Sequence, residues 1–351
     1  LPVSAGKKEA FVRSGLNNER LEILNCLDNT YASDLRRDVF TGLTAKEKKL
    51  QSKYFYDARG SYLFQQICRQ PEYYQTRTEM AILRIAASDI MEGVCDADLI
   101  ELGSGSNWKI RKLLDILDPA CLSRVRYVPV DVSESALMGA SEELLGLYPG
   151  LNIFCILADF TKQIAFLPAD KTKLIFFFGS TIGNFSKVES TGFLRNIARS
   201  MKTGDRFILG ADMIKQKEIL EKAYNDAEGI TAEFNRNILL VINRELNADF
   251  DITLFDHEAF FNEAEGRVEM HLKANRDLKV NVAELDLTVS MHKGETIRTE
   301  ICRKFSMEKL EAMIDGAGMK ITRVFSDPMG WFSLVETALK PSHSSGQTPG
   351  K

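Results

Sequence analysis

Residues 98–106, Asp-Leu-Ile-Glu-Leu-Gly-Ser-Gly-Ser, run from an apolar strand through an acid into two glycines one residue apart. Such a turn lets a ligand lie against bare backbone at a strand tip, which is where a doubly wound sheet meets an adenosine cofactor. Gly103 and Gly105 supply the missing Cβ atoms. Ser106 follows and no third glycine continues the dinucleotide fingerprint, so a pyrophosphate cradle is not indicated. Asp131, after Arg126-Tyr-Val-Pro-Val, stands where a second strand ends and could take both ribose hydroxyls. Asp159 and Phe160 end a third, where the acid could accept an adenine amino group and the ring could cover the base. Asn184 lies beyond the apolar Phe176-Phe-Phe-Gly-Ser-Thr-Ile-Gly segment, and its amide offers the donor and acceptor that suit an amino-acid carboxylate. Asp131, Asp159 and Asn184 are also ordinary helix-cap residues, so capping is the competing reading for each.

The elements that must position these residues alternate from Asp98 onward. Strands are expected at 98–102, 126–130, 152–157, 174–178 and 206–209, and helices at 109–117, 134–147 and 187–201. That rhythm predicts an α/β fold, a parallel Rossmann-like sheet with both faces covered and right-handed crossovers. After Met213 the pattern changes to helices at 215–227 and 234–246, then strands at 266–274, 278–287 and 295–305, an insertion with its own β-meander. A helix at 307–317 and strands at 320–327 and 331–339 then close the first sheet. The expected division is 1–77 and 214–303 for a substrate-binding α+β domain, with 78–213 and 304–340 for the cofactor-binding domain. The Ser, Gly and Pro-rich tail 341–351 is expected to be disordered, and the first 15 residues are similarly polar.

Composition narrows the class of partner. The 351 residues are 44% hydrophobic, enough for a full core, and the net charge of −4 contains no basic block, so nucleic acid is not indicated. No apolar run reaches the roughly 20 residues that span a bilayer, and charges in the first 20 residues argue against a signal peptide. The six cysteines are far apart without a C-x-x-C pair, and read as reduced thiols of a cytoplasmic protein. The four histidines lack metal-ligand spacing, so no metal is expected. The expected partner is a small molecule, and the expected state is a monomer.

Glu101 together with the G-x-G turn is similar to the first motif of S-adenosylmethionine (SAM) methyltransferases. Longer segments carry a narrower resemblance: Lys53-Tyr-Phe-Tyr-Asp-Ala-Arg-Gly-Ser-Tyr-Leu-Phe, Pro71-Glu-Tyr-Tyr-Gln-Thr-Arg, Phe178-Gly-Ser-Thr-Ile-Gly-Asn, and Phe234-Asn-Arg-Asn through Asn243-Arg-Glu-Leu-Asn-Ala-Asp-Phe-Asp. Over roughly Tyr54 to Glu336 the chain resembles the histidine-specific Nα-methyltransferases of ergothioneine biosynthesis. The resemblance implies three successive methyl transfers from SAM to the α-nitrogen of L-histidine, giving hercynine. It assigns Gly103, Lys109, Asp131, Asp159 and Phe160 to the cofactor, and Asn184 and Tyr224 to the amino-acid carboxylate. Tyr73 would also face the substrate, with Tyr74 as the neighbouring alternative. Tyr56 and the Gly179 backbone would lie near the α-nitrogen, and Thr231 would hold a water by the ring. Met270 would line the imidazole pocket, although by itself it reads as a core methionine.

In that family a glutamate and a serine two residues later hold the imidazole nitrogens. Here the segment is Thr299-Glu300-Ile301-Cys302. Strand alternation keeps Glu300 and Cys302 on one face, but the thiol is a weaker hydrogen-bonding group than a hydroxyl. That departure keeps open an N-methyltransferase of another aromatic amino acid, such as tryptophan or tyrosine. Glu300 argues for imidazole, because a buried carboxylate facing an indole edge lacks compensation; without the resemblance it reads as an exposed strand charge. A noncatalytic SAM-binding sensor is the reading from a different class.

Overall fold

The computed structural model describes residues 12–14, 19–27 and 31–341. The expectations for the opening residues and for the tail beyond 341 lie outside this set. Strands β1 (Val12–Ser14) and β2 (Leu21–Asn25) precede helices α1 (Tyr31–Thr44), α2 (Ala58–Ile67) and α3 (Tyr74–Ile90). The alternating part follows: β3 (Ala97–Leu102), α4 (Trp108–Leu114), α5 (Pro119–Leu122), β4 (Arg126–Asp131), α6 (Glu134–Leu147), β5 (Asn152–Leu157), β6 (Thr172–Phe177), α7 (Lys187–Ser200) and β7 (Arg206–Asp212). Next come α8 (Lys217–Lys222), α9 (Ile230–Leu246), β8 (Phe255–Asn262), β9 (Arg267–Ala274), β10 (Leu278–Val282), β11 (Leu287–Met291) and β12 (Thr296–Arg303). The described chain closes with α10 (Met307–Asp315), β13 (Met319–Ser326) and β14 (Phe332–Leu339).

The large sheet has the order β1-β2-β5-β4-β3-β6-β7-β14-β13. Strands β2 to β7 run parallel in it, while β14 pairs antiparallel with both β7 and β13. This is the expected Rossmann-like arrangement with its final pair closing the sheet. Every residue of the central strand β3 is buried, two acids included. Asp98 tolerates this because Arg126 grips both its oxygens, at 2.8 and 2.9 Å. Glu101 instead accepts the Tyr127 hydroxyl at 2.6 Å, and burial pushes its carboxyl up to about 7. One apolar layer joins the sheet to α3, α4 and α6, and another joins its opposite face to α7 and α10. A third core packs α1, α2, α8 and α9 against β8–β12.

Four expectations change. Leu21–Asn25, placed by sequence in the substrate-binding part, instead adds a parallel strand beside β5 in the large sheet. The expected strand 278–287 is a hairpin: the chain reverses through Asp286, whose φ of +47° suits the short polar side chain of aspartate, and β10 pairs with β11. The helix expected at 215–227 is only α8, because Asp226 leaves it to accept the Ile230 and Thr231 N–H groups at 2.7 and 2.8 Å and so caps α9. Finally, Cys95 and Cys121 form a disulfide, closing a separation of 26 residues, while Cys68, Cys155 and Cys302 remain thiols. The expectation of six reduced thiols, which supported a cytoplasmic location, is thereby corrected. No helix among the described residues is long and apolar enough to cross a membrane.

Candidate active site

Adjacent parallel strands end together, and that brings the sequence-predicted tip residues into one row. The Gly103 N–H bonds Val130 O at 2.8 Å, and the Ala158 N–H bonds Asp131 O at 2.9 Å, so the tips of β3, β4 and β5 are stitched side by side. Gly103 adopts φ +75°, and no atom lies within 4 Å of where a Cβ on Gly105 would stand. Bare backbone therefore faces open space, as a bound methionine moiety requires. The Phe160 ring lies 3.6 Å from the Cβ position of Gly103 and packs on Phe177 and Phe193. Asp131 and Asp159 serve their own turns as well: Asp131 accepts the Ser133 N–H at 3.0 Å, and Asp159 accepts the Thr161 N–H at 3.0 Å. Burial raises the Asp131 carboxyl above its ordinary range. Neither acid caps a helix, since Ser133 caps α6 and Ser186 caps α7, so the helix-cap reading of Asp131, Asp159 and Asn184 is not met while the two acids stand at the strand tips.

A cavity of about 570 Å³, its open mouth included, adjoins the Gly179 tip. Tyr56, Tyr73, Gly179, Asn184, Tyr224, Thr231, Met270, Glu300 and Cys302 all line it. Those nine residues come from seven separate stretches of sequence. Tyr56 meets Phe64 and Phe234 edge-on, each at 5.7 Å between ring centres, and Tyr73 meets Tyr224 at 6.4 Å. The result is an aromatic wall. Tyr74, the alternative to Tyr73, points elsewhere: its hydroxyl lies 2.8 Å from both oxygens of Asp212, and it is absent from the cavity lining.

The polar face of the cavity comes mainly from β12. Glu300 opposes Met270 on β9, after a register shift between Arg298 and Glu300. Thr299 is fully buried there and donates to Asn235 Oδ1 at 2.6 Å, which anchors the irregular turn of the strand. Alternation then returns Cys302 to the cavity and Lys304 behind it. His271, next to Met270, faces away and bonds Glu269 Oε2 at 3.0 Å, as strand alternation predicts. Burial pushes the Glu300 carboxyl up to about 7 against the opposing charge of Lys304 and the Asn184 amide.

Lys304 has no exposed surface and spends its three protons on Asp212 Oδ2 at 2.7 Å, Tyr224 Oη at 3.0 Å and Cys302 Sγ at 3.2 Å. Gln75 Nε2 also donates to Tyr224 Oη, at 3.4 Å. With both lone pairs engaged, Tyr224 is left to act as a donor, the role a carboxylate ligand demands. Cys302 is set up the same way, its sulfur accepting from Lys304. Gln75 Oε1 is buried without a hydrogen-bond partner among the described residues, as is Thr231 Oγ1. Both residues line the cavity, so a polar ligand or water completes them.

Sequence reasoning missed Gln75, Phe64, Phe234, Asp212 and Lys304 as parts of this cavity or its support, and Glu79 beside it. Lys304 was within reach, since the alternation that selects 300 and 302 selects 304 next. Asp212 was also within reach as the acid ending β7. Among the described residues, no group of three or more His, Cys, Asp or Glu side chains is placed to hold a metal.

The sheet order, with its antiparallel penultimate strand and its row of glycines and acids at the parallel tips, defines a Rossmann-like class I SAM-dependent methyltransferase. Residues 35–339 match the model for histidine-specific, SAM-dependent methyltransferases, and the chain belongs to that family. It is 45% identical over 303 residues to the histidine N-alpha-methyltransferase of Mycolicibacterium smegmatis, covering 86% of this chain and 94% of that protein. Identity to the histidine N-alpha-methyltransferase of Mycobacterium tuberculosis is 44% over 301 residues, covering 86% and 93%. An L-tryptophan methyltransferase of Psilocybe serbica is 25% identical over 291 residues, covering 75% of this chain and 80% of that one.

Glu300 has a consequence for stability against pH. A carboxyl whose folded value is raised to about 7 from an ordinary 4.5 contributes stability at low pH, and that contribution is lost as pH climbs through about 7. Glu300→Gln lacks the ionisation. In thermal melts of the ligand-free proteins, the melting temperature of E300Q should therefore gain steadily on wild type between pH 5 and pH 8. A constant difference across that range would place the carboxyl at its ordinary value.

Proposed function

We propose that this chain transfers three methyl groups in succession from SAM to the α-nitrogen of L-histidine, giving the trimethylated betaine hercynine. The observation that carries this reading is the partly buried Glu300 carboxyl group, facing the same cavity as Asn184 and Tyr224, donors suited to a carboxylate. Glu300 can accept from an imidazole N–H with charge assistance. Cys302, turned by Lys304 into a thiol donor, meets the other ring nitrogen, and Met270 covers the ring. Asn184, Tyr224 and Gln75 hold the carboxylate end. Gly103, Lys109, Asp131, Asp159 and Phe160 hold the methyl donor along the strand tips.

SAM, when bound, supplies an electrophilic methyl group on a sulfonium. The chain's own task is alignment, since displacement needs the amine lone pair in line with the carbon–sulfur bond, and position can supply much of the rate. Tyr56, Tyr73 and the Gly179 backbone orient the nitrogen. Each transfer leaves an ammonium that must shed a proton before the next, and the tyrosine hydroxyls can pass that proton to water. The aromatic wall suits a cation that grows with each methyl group, because ring faces attract alkylated ammonium.

Incubating the protein with SAM and each of the twenty amino acids, and following mass for added methyl groups, tests the reading. Trimethylated histidine should dominate. Methylation of tryptophan or tyrosine with histidine untouched would move the specificity to Cys302 and its neighbours, and SAM binding without turnover of any amino acid would favour the sensor. Restoring the hydroxyl with Cys302→Ser should lower KM for histidine about two- to fivefold, as expected for a better neutral hydrogen bond worth about 0.5–1 kcal/mol. An unchanged or higher KM would show that the sulfur does not contact the ring.

A further inference from the structure

Glu79, on the buried face of α3, has no exposed surface, and three other elements converge on its carboxylate. Both oxygens lie within hydrogen-bond reach of the Gly179 N–H, at 2.9 and 3.0 Å. Oε2 is also 2.7 Å from Lys109 Nζ on α4. Gly210 on β7 makes the room, because a Cβ there would stand 2.5 Å from Glu79 Oε1 and 3.2 Å from Gly179 N. Glycine weakens a central strand, and here it marks a close approach that the strand accommodates.

The two partners of Glu79 face different ligands. Lys109 belongs to the donor side, among the strand-tip residues. Gly179 opens the acceptor side: it takes φ +75°, Ser180 follows at φ +57°, and the turn runs on to Asn184 in the cavity. Side chains rarely adopt that conformation, so consecutive left-handed residues need an external hold. Glu79 supplies it at Gly179, and Ser180 Oγ, which accepts the Asp212 N–H at 2.9 Å, supplies a second. The same helix carries Tyr73 at its N-cap and Gln75 in its first turn, both lining the cavity.

We propose that Glu79 is a positioning residue that couples binding of the methyl donor to binding of the amino-acid acceptor. This rests on the reading above, in which the strand tips take SAM and the cavity takes an α-amino acid. Without a donor, the partly exposed Lys109 and the fully buried Glu79 compensate each other's charge. A donor carboxylate that reaches Lys109 shares the ammonium, and the Glu79 charge, already on the Gly179 N–H, then bears on that N–H more fully. The turn leading to Asn184 is then fixed when the donor is in place. By linkage, a filled acceptor cavity favours the donor by the same factor.

Calorimetric titration of histidine, with and without saturating S-adenosylhomocysteine, reads this coupling directly. Wild type should bind histidine at least tenfold more tightly with the donor product present. Glu79→Gln keeps an acceptor for the Gly179 N–H but loses the charge that Lys109 senses, and should reduce the factor to less than twofold while each ligand still binds alone. A purely structural role would weaken both ligands and leave the ratio intact. If E79Q does not melt cooperatively, Glu79→Asp, with its charge kept and its reach shortened, is read the same way and should give an intermediate factor. A wild-type factor in whichever variant folds, or no coupling in wild type itself, overturns the proposal. Should wild type bind S-adenosylhomocysteine but not histidine, the histidine reading fails instead, and the ratio is taken with the amino acid found to be methylated.

Discussion

The ion pair of Asp212 and Lys304 joins the two parts of the molecule. Asp212 ends β7 in the large sheet, and Lys304 follows β12 in the smaller one; neither side chain has exposed surface, and their charges meet at 2.7 Å. Taking two such ions out of water costs several kcal/mol each, which only dense hydrogen bonding offsets. The structure supplies that density. Asp212 also receives the Tyr74 hydroxyl and the Lys215 ammonium, and the backbone closes the joint where the Phe305 N–H bonds Asp212 O at 2.9 Å. Burial lowers the Lys215 ammonium to about 8 against the pull of Asp212, whereas in Lys304 the charge of Asp212 overcomes burial and the value is raised.

Because Lys304 spends its remaining protons on Tyr224 and Cys302, the same joint dictates which way these two groups point. The orientation of Tyr224 and Cys302 is thus a consequence of a charge balance made at the cavity's edge. This accounts for a thiol at 302 without loss of the arrangement: sulfur accepts readily enough from a full positive charge, even though it is a weak partner for neutral groups. On the opposite side, Glu79 balances Lys109 in a comparable buried pair. The acceptor cavity thus lies between two charge-balanced joints, with the aromatic wall of Tyr56, Phe64, Tyr73 and Phe234 filling the space that needs no charge.

The sequence was most readable where periodicity and tip chemistry act locally. Alternation alone put Glu300 and Cys302 on one face, and the Gly103 turn marked the donor side. Helix 134–147 and strand 152–157 match to the residue, because capping by Ser133 and a clean apolar run set their ends. The remainder depends on partners distant in sequence. Glu79 reads as an unremarkable helical acid until Gly179 and Lys109, 100 and 30 residues away, arrive beside it. Cys95, just before β3, and Cys121, in α5, are paired across 26 residues, which no spacing rule encodes. Tyr73 and Tyr74 are adjacent in sequence, and only the position of Asp212 separates their roles.

A double-mutant cycle on Lys304→Met and Asp212→Asn, scored for both melting free energy and kcat/KM with histidine, tests whether the joint sets the pocket. Lys304→Met alone should cost stability toward the low end of the about 3–5 kcal/mol expected for breaking a buried pair, because Lys215 still balances Asp212, and should reduce kcat/KM about 100-fold, the equivalent of about 2.7 kcal/mol. Adding Asp212→Asn should not return the activity, because Tyr224 and Cys302 still lack the proton donor that orients them, and it also leaves Lys215 without its carboxylate partner. Activity that recovers in the double variant, or a single Lys304→Met variant that methylates histidine at the wild-type rate, would contradict the account.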